Sequence, residues 1–309
     1  MDLVIVGSVA FDSIKTPFGY AERVLGGSAT YCSISSSFFC KDVGVVAVVG
    51  EDFEEKYFRY FLDRGIDIKG IERKKGKTFF WEGEYTTNFN EALTHKTELN
   101  VFKDFNPQLP SEYENCKYLF LANIDPDLQI KVIDKIKNPE FIGLDTMNFW
   151  IENKRDSLLK VLERINILFI NEGEIKLFTG ESNTVLAGKK IIEMGIEKVL
   201  IKRGEYGAIL MEKDRAFAIP AYLVEKVVDP TGAGDTFAGG FMGYLAATGD
   251  FSFENLKNCI ISGTVMASFN IEDFSVKKLT SIGFNQVSER INNYLNLIKV
   301  DAEKILKQN

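Results

Sequence analysis

The residues best suited to chemistry lie in DPTGAGDTFAGGF, Asp229 to Phe241, where Gly232, Ala233 and Gly234 stand directly before Asp235. A strand-like run precedes this stretch and an apolar run with helical spacing follows it. A helix beginning near Gly234 leaves its first backbone N–H groups without intrahelical partners, and the helix dipole adds partial positive charge there. Small side chains let those amides close on an oxyanion, so the segment reads as an anion hole for a phosphoryl group. Asp235, in the first helical turn, can then orient a substrate hydroxyl and take its proton. The same residues also fit a plainer role, a helix N-terminus capped by Thr231 or Asp235.

Such chemistry needs a scaffold that delivers several groups to one edge. Short apolar runs recur along the chain, LVIVGSV, VGVVAVVG, YLFLANI, FIGLDTM, ILFINE and KVLIKRG, with helical-period segments between most of them. That alternation predicts a mostly parallel sheet covered by helices. Past Gly204 come two β-rich stretches, GAILME and RAFAIPAY, and then helices as far as Gln308. From about Thr78 to Phe105 the helical period is lost, and KTFFWEGEY and TELNVF read as strands of a separate small sheet, a lid or an interface. In strand alternation Phe79, Trp81 and Tyr85 share one face, and Phe80, Glu82 and Glu84 the other.

With 309 residues, 45% apolar and 26% charged, the composition is that of a soluble globular protein, one large unit plus a small one. A net charge of −7 argues against nucleic acid and anionic membranes as partners. The opening MDLVIVGSVAFDSI lacks a basic flank and has too short an apolar run to span a bilayer, so a buried strand is expected there. Cys32, Cys40, Cys116 and Cys259 are scattered without a C-x-x-C pair, which indicates neither zinc nor a disulfide framework and fits a reducing cytoplasm. His95, the only histidine, lies in no serine or carboxylate motif and is expected at the surface, against a hydrolase triad or a His-based zinc site.

Two commoner phosphate motifs fail. GIERKKGKT, Gly70 to Thr78, has five residues between its glycines where a Walker A loop has four, and a strand follows it instead of a helix. A dinucleotide fingerprint would begin at Gly232 and Gly234, but Phe237 holds the third glycine's place.

Asp229 to Met242 resembles the C-terminal signature of the ribokinase-like, or PfkB-type, family of carbohydrate and nucleoside kinases, and further motifs carry the resemblance over nearly the whole chain. It implies one ribokinase-like domain over 1–309, an α/β fold: a three-layer α/β/α sandwich with a mostly parallel central sheet. A small β-sheet lid would be formed by about 14–26 and 76–106. It implies Asp235 as catalytic base and Gly232, Ala233 and Gly234 as anion hole. NEGE, Asn171 to Glu174, is similar to the family's N-x-x-E, whose Glu helps hold hydrated magnesium on the nucleotide phosphates. KRGEYG resembles the strand-end segment lining the nucleotide site, which implies nucleotide contacts at Lys202, Gly204 and Gly207 as well as Asn171. Asp229, Thr231 and Ser275 look like the monovalent-cation loop of many members, so ATP, Mg2+ and K+ are the implied cofactors. VGSVAFD puts Asp12 where the family binds sugar hydroxyls, and Gly26 and Gly27 resemble its hinge between core and lid. Tyr31 departs from the pattern: members usually carry Asn there, in contact with substrate, so a ribose or fructose preference does not carry over.

Without the resemblance, Glu174 also fits a solvated helix start, Asp12 a turn, and Lys202 and Arg203 surface ion pairs. The resulting expectation is an ATP-dependent kinase acting on a primary hydroxyl of a small sugar or sugar-like molecule, dimeric through its lid. A free sugar is preferred, because Asp12 offers hydroxyl recognition and nothing in the sequence specifies a base edge. A nucleoside kinase of the same fold is the alternative, its lid aromatics stacking on a nucleobase if their face turns to the cleft. A sugar-sensing regulator without turnover is the third reading.

Overall fold

A computed structural model describes residues 1–86, 89 and 92–300. In chain order its strands are β1 (Leu3–Val6), β2 (Ala10–Thr16), β3 (Gly19–Gly26), β4 (Val43–Gly50), β5 (Asp67–Lys74), β6 (Phe79–Glu84), β7 (Leu93–Glu98), β8 (Tyr118–Leu121), β9 (Phe141–Asp145), β10 (Ile167–Asn171), β11 (Lys198–Lys202), β12 (Ala208–Met211) and β13 (Ala216–Ile219). The helices are α1 (Ser28–Ser36), α2 (Glu55–Leu62), α3 (Pro126–Ile133), α4 (Asn148–Asn153), α5 (Arg155–Leu162), α6 (Glu172–Thr179), α7 (Thr184–Glu193), α8 (Ala233–Thr248), α9 (Phe253–Asn270), α10 (Lys277–Ser281) and α11 (Phe284–Ile298).

The six apolar runs become β1, β4 and β8 to β11 of one large sheet, ordered β13-β12-β11-β10-β9-β8-β1-β4-β5. From β11 to β5 every pairing is parallel, and the hairpin β12–β13 extends the sheet antiparallel at one edge. Alternate residues of each strand enter two separate cores. Leu3, Ile5, Phe120 and Phe169 pack with Phe241 of α8 and Ile260 of α9. Val4, Val6, Leu119 and Leu168 pack with Ile133 of α3, Ile175 of α6 and Ile191 of α7. Both faces are dry, which is why these strands read as unbroken apolar runs. The result is the expected three-layer α/β/α sandwich. β1 has β4 on one side and β8 on the other, so the chain reverses its winding there, and the carboxyl edge beside such a point is where open α/β sheets bind ligands.

The small sheet has the order β3-β2-β6-β7, with β2 and β6 parallel and the outer pairs antiparallel. It begins at Ala10, ahead of the expected boundary at 14, so Asp12 stands inside a strand and not in a turn after β1. TELNVF is only partly a strand: Thr97 and Glu98 end β7, and Asn100–Asp104 forms a 3₁₀ turn. Asn100 adopts φ +49°, a left-handed conformation asparagine tolerates, and its Nδ2 donates to the Thr78 carbonyl at 2.9 Å. Phe102 then stacks on Phe79 at 5.2 Å. The helical reading as far as Gln308 runs past residue 300 into 301–309, which lie outside the described residues. Among the described residues no helix is long and apolar enough to cross a membrane. The four cysteines are buried and free.

Candidate active site

β9, β10 and β11 end side by side, Phe169 of β10 beside Asp145 and Asn171 beside Lys202, and the first turn of α8 meets them. Gly232 is the N-cap of α8 and has no side chain to satisfy the first amides. Its φ is +73°, and a Cβ there would lie 2.4 Å from the Tyr31 ring, so both backbone and neighbour demand glycine. The Ala233 N–H donates to the Pro230 carbonyl at 3.1 Å. Ala233 therefore contributes shape to the expected anion hole, and the helix leaves the amides of Gly234 and Asp235 for an anion.

Asp235 is half-buried. Burial above all, with the Asp145 charge behind it, pushes its carboxyl up to about 7, against the pull of Lys202. Lys202 is no surface lysine: its Nζ lies 2.6 Å from Asp145 Oδ2. Asp145 is 3% exposed, and its Oδ1 accepts the Thr146 N–H at 2.9 Å. Sequence reasoning missed this residue, although FIGLD carries the same signal as ILFIN, a polar residue closing a buried strand.

Asn171 and Glu174 form a reciprocal capping box at α6. Asn171 Oδ1 accepts the Glu174 N–H at 2.8 Å, and Glu174 Oε2 accepts the Asn171 N–H at 2.9 Å. Burial pushes the Glu174 carboxyl up to about 7, Asp145 and Asp235 adding to this and Lys202 opposing it. Arg203 pairs at 3.3 Å with Glu172, the ordinary ion pair weighed above. Gly204 is exposed in the turn after β11. Gly207 lies against the Ile219 carbonyl, where a Cβ would come within 1.9 Å, so it is required by packing of the β12–β13 hairpin.

Asp12 is buried, and Gly26 makes room for it: a Cβ at 26 would lie 1.9 Å from Asp12 Oδ2. Gly27 is the N-cap of α1. Burial, then the charges of Asp229 and Asp235, push the Asp12 carboxyl up to about 8. Tyr31 is 1% exposed, and its hydroxyl has no hydrogen-bond partner. Burial and the same three carboxylates raise its phenol well above the usual range. Trp81 is the register partner of Asp12 across the parallel β2–β6 pair, so the two share a face of the small sheet. Its ring covers Gly83 and its Nε1 donates to Thr94 Oγ1 at 3.2 Å. Tyr85, just past β6, is pushed up to about 12 by burial, with the nearby Asp229, Asp12 and Asp235 charges adding to it. Phe79 is spent on Phe102 and the 3₁₀ turn. His95 is exposed on β7 beside Glu84.

Asp229 is fully buried; its Oδ1 accepts the Thr231 N–H at 2.9 Å and its Oδ2 the Ser275 N–H at 3.2 Å. The Ser275 hydroxyl donates to the Leu25 carbonyl, next to Gly26. Asn270, which sequence reasoning did not single out, donates from Nδ2 to the Thr231 carbonyl at 2.8 Å. Thr231 Oγ1 and Asn270 Oδ1 are buried without hydrogen-bond partners. Among the described residues no group of three or more His, Cys, Asp or Glu is arranged to hold a metal ion by itself.

The family profile described as pfkB family carbohydrate kinase matches residues 3–282. A cytidine kinase of Thermococcus kodakarensis is 30% identical over 247 residues, 78% of this chain and 87% of that protein. A deoxyribokinase of Salmonella typhimurium is 28% identical over 316 aligned positions, covering 96% of this chain and 99% of that protein. Among solved structures, a ribokinase II from E. coli in complex with ATP and Mg2+ matches with a TM-score of 0.78 at 18% identity, covering 94% of this chain and 99% of that one.

Proposed function

Because the chain belongs to the pfkB family of carbohydrate kinases, phosphotransferases with an alcohol acceptor, we propose that it transfers the γ-phosphoryl group of ATP to the primary hydroxyl of a nucleoside. The observation that carries the acceptor is the register of the small sheet. Trp81 stands beside Asp12 on one face, and Tyr85 lies near the same carboxylate, so one carboxylate for ribose hydroxyls is accompanied by flat rings for a base. The sequence alone favoured a free sugar because Asp12 offers hydroxyl recognition and nothing in it specifies a base edge; the Trp81–Asp12 pairing moves the preference. The cytidine kinase relative supports the same direction.

In the proposed reaction the acceptor hydroxyl oxygen attacks the γ-phosphorus in line. The new O–P bond forms as the bond to the β-phosphate oxygen breaks, and ADP leaves with that electron pair. Asp235 orients the hydroxyl and takes its proton. A carboxylate with an ordinary pKa of about 3.9 is a poor base, but one pushed up to about 7 is matched to neutral pH. The amides of Gly234 and Asp235 receive the phosphoryl oxygens. The charges of Asp145, Glu174 and Asp235 all act on the single amine of Lys202, an excess of negative charge suited to a dication. Glu174 and Asp235 are the residues that would hold the water shell of a magnesium ion carried on the nucleotide, which would supply charge neutralisation there. Asp229 has no cationic partner among the described residues, and the orphan oxygens of Thr231 and Asn270 beside it fit a potassium ion.

Steady-state ATP turnover with cytidine, adenosine, ribose, deoxyribose and fructose tests the reading. Nucleosides are expected to be the better acceptors, and Trp81→Ala to raise their KM by about 10- to 100-fold, the worth of one stacking contact. A free pentose is the second reading, favoured by the deoxyribokinase relative aligned along almost its whole length. Turnover of pentoses but of no nucleoside would select it.

A further inference from the structure

Lys202 belongs by chain position to the strand end that lines a nucleotide, yet its amine sits at the anion hole. A Cβ built on Gly234 would lie 3.2 Å from Nζ, so the ammonium closes one side of the cradle formed by the first α8 amides. Asp145 holds it from the other side at 2.6 Å, and the Thr146 N–H fixes that carboxylate in turn. The remaining charges that face the amine are Glu174 and Asp235. A buried pair of this kind costs desolvation that an apolar pair would avoid, so stability alone gives no reason to keep it. A buried ammonium without an anion behind it would lose its proton, and Asp145 prevents that.

We propose that Lys202 binds the phosphoryl group during its transfer at Gly234, and that Asp145 is the positioning residue that aims the lysine there. The assignment rests on the kinase reading above. Lys202 transfers no proton: it neutralises the equatorial phosphoryl oxygens while the hydroxyl proton goes to Asp235 and the electron pair of the broken bond leaves on ADP. Asp145 touches neither substrate: beyond the charge it adds at Asp235, it acts through the lysine, so the variants are compared above pH 8, on the plateau of the Asp235 titration.

The test compares Lys202→Met, Asp145→Asn and the double variant, measuring kcat, acceptor KM, and ATP and ADP affinity by calorimetry in Mg2+. Lys202→Met is expected to lower kcat on the order of 10²- to 10³-fold, the loss seen when a transition-state donor is removed, with acceptor KM within about threefold. It should weaken ATP far more than ADP, because only ATP carries the γ-phosphoryl group. Asp145→Asn should lower kcat in the same sense, and the double variant should be no slower than Lys202→Met alone. The double variant also removes both buried charges, so it remains a folded reference if Lys202→Met is unstable. Equal weakening of ATP and ADP, or additive losses in the double variant, would overturn the proposal. Should the wild type phosphorylate none of the acceptors, the functional reading falls, while the ATP-to-ADP comparison still decides where Lys202 binds.

Discussion

As the proposed base, Asp235 must be ionised to accept a proton, and its surroundings oppose ionisation. Burial and the nearby Asp145 charge push its carboxyl up to about 7 despite Lys202. Because the raised value favours the protonated, inactive form, activity is gained as pH rises through about 7 and lost as it falls. For one titrating group the active fraction drops tenfold per pH unit below its pKa, so kcat/KM at pH 5 should be about one hundredth of its plateau above pH 8. An ordinary aspartate would leave the profile flat down to about pH 4. Glu174 is also pushed up to about 7, so the limb has to be assigned by substitution. Glu174→Gln should keep it, at a higher magnesium requirement. Asp235→Asn should lose on the order of 10²-fold or more in turnover and with it the pH limb. The assay is coupled ADP release from pH 5 to 9 at saturating MgATP and constant ionic strength. A wild-type profile flat across that range, or an Asp235→Asn enzyme near wild-type rate, would refute the reasoning.

Asp12 binds a proton more tightly folded, at about 8, than unfolded, at 3.8, so stability should fall as pH rises between those values. Asp12→Asn should therefore melt higher than wild type at pH 8.5, with the gap closing toward pH 4, while acceptor binding weakens at least about tenfold; an unchanged acceptor KM would count against its role. Gly232→Ala forces a side chain to φ +73° and into the Tyr31 ring; a cost of about 1–3 kcal/mol should appear in denaturant unfolding, partly relieved by adding Tyr31→Ala. Turnover should rise when potassium replaces a large organic cation at constant ionic strength, and Asn270→Ala should abolish the response; an indifferent wild type would remove the cation site. The outer strands β3 and β7 leave Tyr20 at 54% and Leu93 at 59% exposure, so we expect lid-to-lid dimers by light scattering, disrupted by Leu93→Lys; a monomeric wild type would end that proposal.

What the sequence determined by itself was local or periodic. The strands β1, β4 and β8 to β11 were legible because burial on both faces makes them apolar throughout, and α8 because small residues and an aspartate mark its first turn. The Asn171–Glu174 pair closes over three residues, so its geometry follows from helix initiation alone. Tertiary structure decided whatever depends on partners far apart in the chain. Lys202 meets Asp145 across the end of the intervening strand β10, 57 residues away, and the spacing between them encodes nothing about that meeting. Tyr31 packs on Gly232 across two hundred residues of chain, Asn270 reaches Thr231 from the far end of α9, and Trp81 acquires its meaning only from the register that sets it beside Asp12. Gly207 and Gly234 look alike as letters, yet one lies against a carbonyl and the other faces an ammonium. Strand propensity and helix capping act over a few residues, whereas register and burial are set by the packing of whole elements against one another. The loop proposed to hold a phosphate was therefore readable from the chain as a helix start, and the charges and rings around it were not.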